Sequence, residues 1–197
     1  MFVISIAVPQ FVTLLTMSTM LENEGAVNVL LQSLGLVSQP IPFWDDPMIA
    51  RITIIAINFW IGVPYTMLTV SGILMNIPKE LYEAAKVDGA NNRVIFFKIT
   101  MPYVLFITGP TLITSFIGNI NNFNVIYLLT GGGPADLNYF QAGKTDLLVT
   151  WLYKLTTTGK EYSYASTIGI IVFILSATVS LLAYRRTAAY KEEGDFS

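Results

Sequence analysis

Four long stretches of this 197-residue chain carry no charged side chain, and each is long enough to cross a lipid bilayer. A helix needs roughly 20 apolar residues to span the hydrocarbon core. Only 12% of all residues are charged, whereas globular domains carry about 25%, and the mean hydropathy is +0.59. We therefore predict an all-α fold, a polytopic transmembrane helical bundle with about four membrane spans and additional short interfacial helices. The predicted spans cover residues 1–21, 52–78, 99–135 and 162–184.

The residue types that the chain lacks exclude several kinds of chemistry. The sequence contains no histidine and no cysteine, which removes the commonest metal ligand and general base together with any disulfide. No acidic residue lies within the predicted spans, so neither a catalytic carboxylate pair nor a proton-coupled carrier is expected. The net charge of −2, without any basic tract, argues against nucleic acid binding. We expect no catalytic residue, no metal and no cofactor.

A polar, charged segment, LYEAAKVDGANNRVIFFKITMP at residues 81–102, separates the second and third predicted spans. Asp88-Gly89 predicts the end of a first helix, because glycine adopts the left-handed conformation at low cost. An asparagine at position 91 or 92 can then cap a second helix. We expect this second helix to run from about residue 93 to residue 99, and Pro102 to mark the boundary before the next span.

Several positions of this segment resemble the EAA loop of permease subunits in binding-protein-dependent ABC importers. The matching pattern is Glu83-Ala84-Ala85, three further residues, Gly89, nine further residues and then Ile99-Thr100-Met101-Pro102. Leucine is usual where Met101 stands. The resemblance implies that the loop inserts into a cleft of a separate cytoplasmic ATPase, which hydrolyses the ATP, so this chain is a transport subunit and not an enzyme. The coupling residues that it implies are Glu83, Ala84, Ala85, Asp88 and Gly89.

Basic residues indicate which loops face the cytoplasm. Four of the eleven Lys and Arg residues lie between residues 79 and 98, and three more lie between residues 185 and 191. By the positive-inside rule these segments and the C-terminus are cytoplasmic, so residues 22–51 and 136–161 are external. The external segments could form short helices at 26–37 and 146–155. We delimit a transmembrane permease domain at residues 1–190, a cytoplasmic coupling loop at 76–102 within it, and a cytoplasmic tail at 191–197.

Neutral polar residues recur at helical spacing within two of the predicted spans. Two trios share the spacing i, i+4, i+7: Asn58, Gly62 and Tyr65 in the second span, and Ser115, Asn119 and Asn122 in the third. Each trio therefore lies along one helical face. Amides, hydroxyls and an aromatic ring suit a neutral sugar, yet such residues also join spans by close packing and hydrogen bonds. The spacing alone leaves both interpretations open.

A second resemblance covers nearly the whole chain. The stretches NFWIGVPY at residues 58–65, NNFNVIYLLTGGGP at 121–134 and TDLLV at 145–149 resemble the C-terminal portion of MalF-type permease subunits of maltose importers, with its last four spans. In that family the matching positions contact the sugar midway across the membrane. Ile61 departs from the usual leucine, and Gly118 stands where the family has an aromatic ring. The substrate-binding residues that the resemblance implies are Asn58, Ile61, Gly62, Tyr65, Ser115, Gly118, Asn119 and Asn122.

These resemblances imply a permease subunit of an ATP-driven ABC importer of maltose, maltodextrin or a similar oligosaccharide, in a bacterial cell (inner) membrane. The partners that they imply are a second, MalG-like permease subunit, an ATPase dimer, an extracellular or periplasmic solute-binding protein and the lipid bilayer. A permease for another solute, such as glycerol phosphate, should show basic residues in the pathway, and the sequence shows none there. A non-transporting membrane scaffold would leave the two polar stripes without a role.

Overall fold

The computed structural model describes residues 7–185, and within that range the fold is built from helices without strands; one isolated β-bridge joins Ala135 and Gly143. The predicted all-α class is confirmed. Three helical runs in this range are long and apolar enough to cross a membrane: Pro47–Met75, Asn92–Thr130 and Tyr162–Tyr184. The helices, in chain order, are α1 (Gln10–Met20), α2 (Ala26–Ser33), α3 (Pro47–Met75), α4 (Lys79–Val87), α5 (Asn92–Ile95), α6 (Met101–Ile120), α7 (Phe123–Thr130), α8 (Leu148–Thr157) and α9 (Tyr162–Tyr184).

Helices α3 and α9 correspond to the second and fourth predicted spans. The bounds of α9 are those predicted, whereas α3 begins at Pro47 and not at residue 52. The reason is a cap, because Oδ1 of Asp46 accepts from the N–H groups of Met48 and Ile49 at 2.9 and 2.8 Å. The first predicted span starts outside the described residues, and its described part contains α1. The predicted tail at 191–197 also lies outside them.

The prediction of a boundary at Pro102 is wrong. Helix α5 continues through a π-helical turn, Phe96–Thr100, directly into α6. The N–H of Met101 donates to the carbonyl of Phe96, five residues back, which is the widened pairing of such a turn. A proline ring normally clashes with the carbonyl four residues before it. Here that carbonyl belongs to Lys98, inside the widened turn, so the helix continues past the proline.

The helix of the third predicted span is interrupted by a short break at residues 121–122. Helix α6 stops at Ile120, and α7 begins separately at Phe123. The cause is local, since Oδ1 of Asn122 accepts from the N–H of Val125 at 3.3 Å and caps α7. Asparagine side chains compete in this way with the backbone bonds of a continuing helix.

The described chain forms two compact units. The first comprises residues 7–64 and 119–175, and Ser18 joins two of its helices by donating to the carbonyl of Leu129 at 2.7 Å. The second comprises residues 65–118 and 176–185 and contains the predicted coupling loop. The apolar core of the first unit brings together α1, α3 and α7 through Leu14, Ile54, Ile57, Val125, Ile126 and Leu129.

Both short helices predicted between the spans are present as α2 and α8. Asn28 is fully buried in α2 and fastens the segment that leads to α3. Its amide nitrogen donates to the carbonyls of Glu22 and Ile41 at 3.1 and 3.0 Å, and its Oδ1 accepts from the N–H of Ile41 at 2.8 Å. A buried amide with all these bonds made is stabilising because no polar atom is left unpaired.

Candidate functional site

Three of the predicted site asparagines contact one another in the first unit. The side-chain amide of Asn58 in α3 donates to Oδ1 of Asn119 in α6 at 2.8 Å. The amide of Asn122 donates to Oδ1 of Asn58 at 3.1 Å. The two polar stripes predicted from the sequence therefore meet at Asn58, Asn119 and Asn122, which we call the asparagine cluster.

The asparagine cluster borders a cavity of about 530 Å³. One face of α3 lines it, because Arg51, Ile54, Ile55 and Asn58 follow each other at i, i+3, i+4 and i+7. Largely apolar walls with a few convergent polar groups are typical of sites for small organic ligands. The remaining lining residues are Asn119, Asn122, Val125, Ile126, Lys144, Thr145, Asp146 and Leu147.

Two basic residues stand on this cavity, where the sequence predicted none. Arg51 immediately precedes the second charge-free stretch, and its Nε and Nη2 donate to the backbone oxygen of Lys144 at 3.1 and 2.9 Å. The expectation that no basic residue accompanies the polar stripes is therefore wrong for this cavity. The only sequence signal is the spacing, since Arg51 stands seven residues before Asn58 and shares its helical face. Its partner is a backbone carbonyl, which residues of every type provide.

The charge of Lys144 is engaged by the loop that joins α7 to α8. Lys144 forms an ion pair with Asp136, and its Nζ lies 4.7 Å from the centre of the Tyr139 ring. Oδ1 of Asp136 also accepts from the N–H of Asn138 at 2.9 Å. The Lys144 ammonium, followed by the Asn138 amide, holds the pKa of Asp136 below its usual 3.8, and the pair raises the pKa of Lys144 above 10.5.

Asp146 fixes the other end of this loop. Its side chain is only 2% exposed, and its Oδ2 accepts from the N–H of Gly143 at 2.7 Å and from Nζ of Lys154 at 2.6 Å. Its Oδ1 accepts from the hydroxyl of Thr150 at 2.8 Å. Gly132, at φ 86°, packs so closely that a Cβ there would collide with the Asp146 carboxylate. The buried carboxylate is thus fully paired, and it holds this part of the cavity wall in place.

The other five predicted binding residues lie outside the asparagine cluster. Ile61 packs against the apolar core of the first unit. Gly62 follows Asn58 by one helical turn, and open space lies where its Cβ would be. Tyr65, Ser115 and Gly118 belong to the second unit, where each is exposed. Their roles in binding remain predictions.

The segment predicted to couple to an ATPase has the predicted form of helix, turn and helix. At the end of α4 the N–H of Gly89 donates to the carbonyl of Lys86 at 3.0 Å, and the N–H of Ala90 donates to that of Ala85 at 2.9 Å. This is the Schellman arrangement, and it favours glycine because Gly89 has φ 78°. The side chain of Asn91 accepts from the N–H of Val94 at 2.9 Å and caps α5. The predicted stop and the predicted cap are both confirmed.

The predicted coupling segment, residues 76–102, presents an exposed groove of about 390 Å³. Ala85 is half-buried at its edge, whereas Glu83, Ala84, Asp88 and Gly89 are exposed. A bond between the hydroxyls of Tyr82 and Thr100, 3.2 Å apart, joins α4 to the π-helical turn. The groove is lined by Ala85, Asp88, Gly89, Ala90, Val94, Ile95, Lys98 and Ile99.

Comparison with known proteins places this geometry in context. A family model described as binding-protein-dependent transport system inner membrane component matches residues 1–189. The maltodextrin transport system permease protein MalC of Streptococcus pneumoniae is 39% identical over 202 residues, covering 98% of this chain and 46% of MalC. The galactooligosaccharides transport system permease protein GanP of Bacillus subtilis is 41% identical over 192 residues, covering 95% of this chain and 44% of GanP.

Two further comparisons agree with these. The maltose/maltodextrin transport system permease protein MalF of Vibrio parahaemolyticus is 38% identical over 193 residues, which is 95% of this chain and 36% of MalF. The crystal structure of a bacterial ABC transporter involved in the import of the acidic polysaccharide alginate matches with a TM-score of 0.69 at 25% identity, covering 89% of this chain and 59% of that chain. The chain therefore spans about half the length, or less, of the curated relatives that it matches.

The family model covers 189 of the 197 residues, and the predicted resemblance to permeases of maltose and maltodextrin importers is confirmed. The apolar helices α3 and α9 and the run from Asn92 to Thr130 fit a membrane protein. The chain belongs to the family of binding-protein-dependent transport system inner membrane components.

Proposed function

We propose that this chain is a permease subunit of an ATP-driven importer and that it forms half of a pathway for maltodextrin or a similar neutral oligosaccharide. The observation that carries this proposal is the asparagine cluster on a cavity of about 530 Å³, in a chain 39% identical to a maltodextrin permease protein. The predicted binding residues outside the cluster, among them Tyr65 and Ser115, would contribute further contacts along the pathway.

The chemistry of the cluster suits a sugar. Each asparagine offers two N–H donors and an acceptor oxygen, which match the alternating donors and acceptors of sugar hydroxyls. The amides also bond to one another, since Asn58 donates to Asn119 and accepts from Asn122. A saccharide would exchange these bonds for its own, so that the amides stay paired during binding.

The coupling segment would connect this chain to its energy source. We place the groove beside Ala85 and Gly89 against a separate ATPase dimer, which carries out ATP binding and hydrolysis. A MalG-like second permease subunit and an external solute-binding protein complete the proposed complex. The segment and the C-terminus face the cytoplasm in this arrangement, as the distribution of Lys and Arg favours. Closure of the ATPase would then shift the population between two packings of the spans.

A second function for the cluster follows from the same contacts. Direct bonds between Asn58 and Asn119 also join α3 to α6, which is how amides hold membrane helices together. In that case the cavity would lack ligand contacts, and the cluster would serve packing alone.

The experiment is ATP-dependent uptake by the complete complex in proteoliposomes, with maltotriose, a galactotriose and glycerol 3-phosphate offered separately. We expect uptake of a neutral saccharide, no uptake of glycerol 3-phosphate, and none of either without ATP. Uptake of glycerol 3-phosphate alone would contradict the proposal, because the two basic residues on the cavity would then serve an anionic ligand. ATP binding by this subunit after removal of the ATPase would also contradict it.

A further inference from the structure

Arg51 occupies a position on the cavity that the proposed sugar contacts do not use. It lies two turns before Asn58 on the same face of α3, which is roughly 10 Å along the helix axis. Its Nε and Nη2 both donate to a single acceptor, the backbone oxygen of Lys144, at 3.1 and 2.9 Å. The residue therefore connects a long helix to the loop between α7 and α8, 93 positions further along the chain.

The charge of Arg51 is not used in an ion pair within residues 7–185. The two ion pairs there are Lys144 with Asp136 and Lys154 with Asp146. A guanidinium presents its N–H groups as a rigid fork, so two bonds to one carbonyl fix both the distance and the direction of the loop backbone. The arrangement indicates a structural hold on the segment around Lys144.

That segment, residues 143–146, is also fastened from its other side. The carboxylate of Asp146 binds the N–H of Gly143 and the ammonium of Lys154, while the hydroxyl of Thr145 donates to the carbonyl of Gly133 at 2.5 Å. Lys144, Thr145 and Asp146 all line the cavity. Any displacement of this segment therefore changes the shape of the cavity wall.

We propose that Arg51 is a positioning residue that sets the ligand affinity of the cavity by holding residues 143–146 against α3. The ligand side of this inference rests on the proposed function. Arg51 acts through the loop and not by touching the sugar. Lysine at this position keeps the charge but donates as a single point, and methionine keeps a similar length without any donor.

The test compares Arg51→Met and Arg51→Lys with Arg185→Met, which removes an arginine at the end of α9, in the complete complex. Hydrogen exchange of peptides covering residues 143–146 is measured without sugar, and uptake of maltotriose is measured over a range of concentrations. For Arg51→Met we expect clearly faster exchange in these peptides and a KM raised about five- to tenfold, as for the loss of hydrogen bonds, with kcat within about twofold. Arg51→Lys should be intermediate and Arg185→Met unchanged.

A second variant weakens the same segment by removing a contact that does not involve Arg51. Thr145→Val removes the hydroxyl bonds with little change of shape, so it should also speed exchange and raise KM. Because both changes loosen one segment, the KM of the double variant should be less than twofold above that of the stronger single variant. KM increases that multiply in the double variant would overturn the proposal. A raised KM with unchanged exchange would overturn it too, since Arg51 would then contact the sugar directly. Absence of saccharide uptake by the natural chain would instead reject the proposed function. The exchange measurement would still show whether Arg51 restrains residues 143–146.

Discussion

At the scale of the residue, Asn122 explains why spacing alone described the site incompletely. The spacing of Ser115, Asn119 and Asn122 assumes one continuous helix, but α6 ends at Ile120 and Asn122 caps the next helix. Its amide still donates to Asn58, so the members of the cluster are predictable from spacing, although the break between α6 and α7 is not. Arg51 was missed because a bond to a backbone carbonyl 93 positions away leaves no signature in side-chain types.

Gly89 carries the sharpest prediction at this scale. Alanine there would meet no neighbouring atom, so its only cost is the positive φ of 78°, about 1 kcal/mol. We expect Gly89→Ala to lower the uptake per ATP hydrolysed about fivefold, because the turn that shapes the coupling groove becomes less populated. Gly72→Ala is the matched control, since it adds the same methyl group to open space within α3 at an ordinary helical φ. Equal coupling in the two variants would mean that this turn does not transmit the motion.

At the scale of the element, the sequence predicts helices well where their ends have local causes. The bounds of α9 and the Asn91 cap of α5 follow from hydrophobic length and cap chemistry within a few residues. Pro102 shows the limit of such rules. A proline usually breaks a helix, but the π-helical turn before it shifts the carbonyl that the ring would strike. That shift depends on the pairing of neighbouring turns and has no single-residue signal.

The loop between α7 and α8 should hold its shape over a wide pH range. The pKa of Asp136 is lowered from 3.8, so its stabilising effect is fully present above that pH and is lost only as the pH falls through the lowered value. The pKa of Lys144 is raised from 10.5, so its effect is present below that pH and lost only as the pH rises through the raised value.

Hydrogen exchange at the amide of Asn138, which donates to Asp136, measures this directly. After correction for the intrinsic rate, we expect constant protection from about pH 5 to about pH 9 and a loss below 3.8. Asp136→Asn should remove the acid-side dependence. Loss of protection between about pH 5 and pH 7 would show that a different group controls the loop.

At the scale of the whole molecule, one chain combines two separate features in two compact units. The asparagine cluster and its cavity belong to the first unit, and the coupling segment belongs to the second. Both α3 and α6 contain residues of each unit, with α3 changing at Pro64 and α6 at Gly118. In the proposed transport cycle, the ATPase would act on the coupling segment, and the asparagine cluster would contact the saccharide.

The most direct measurement of the central claim is the maltotriose KM of assembled complexes that carry changes in the asparagine cluster. Asn119→Ala removes the acceptor for Asn58, and Asn122→Ser removes an amide while keeping an oxygen to cap α7. Asn124→Ala is the control, because Asn124 is an exposed asparagine on α7 outside the cluster. We predict that each cluster variant raises KM roughly two- to tenfold, the effect of about 0.5–1.5 kcal/mol per hydrogen bond, while assembly and the control remain unchanged. An unchanged KM in assembled complexes, together with reduced assembly or thermal stability, would contradict the claim, because the cluster would then hold helices together without binding sugar.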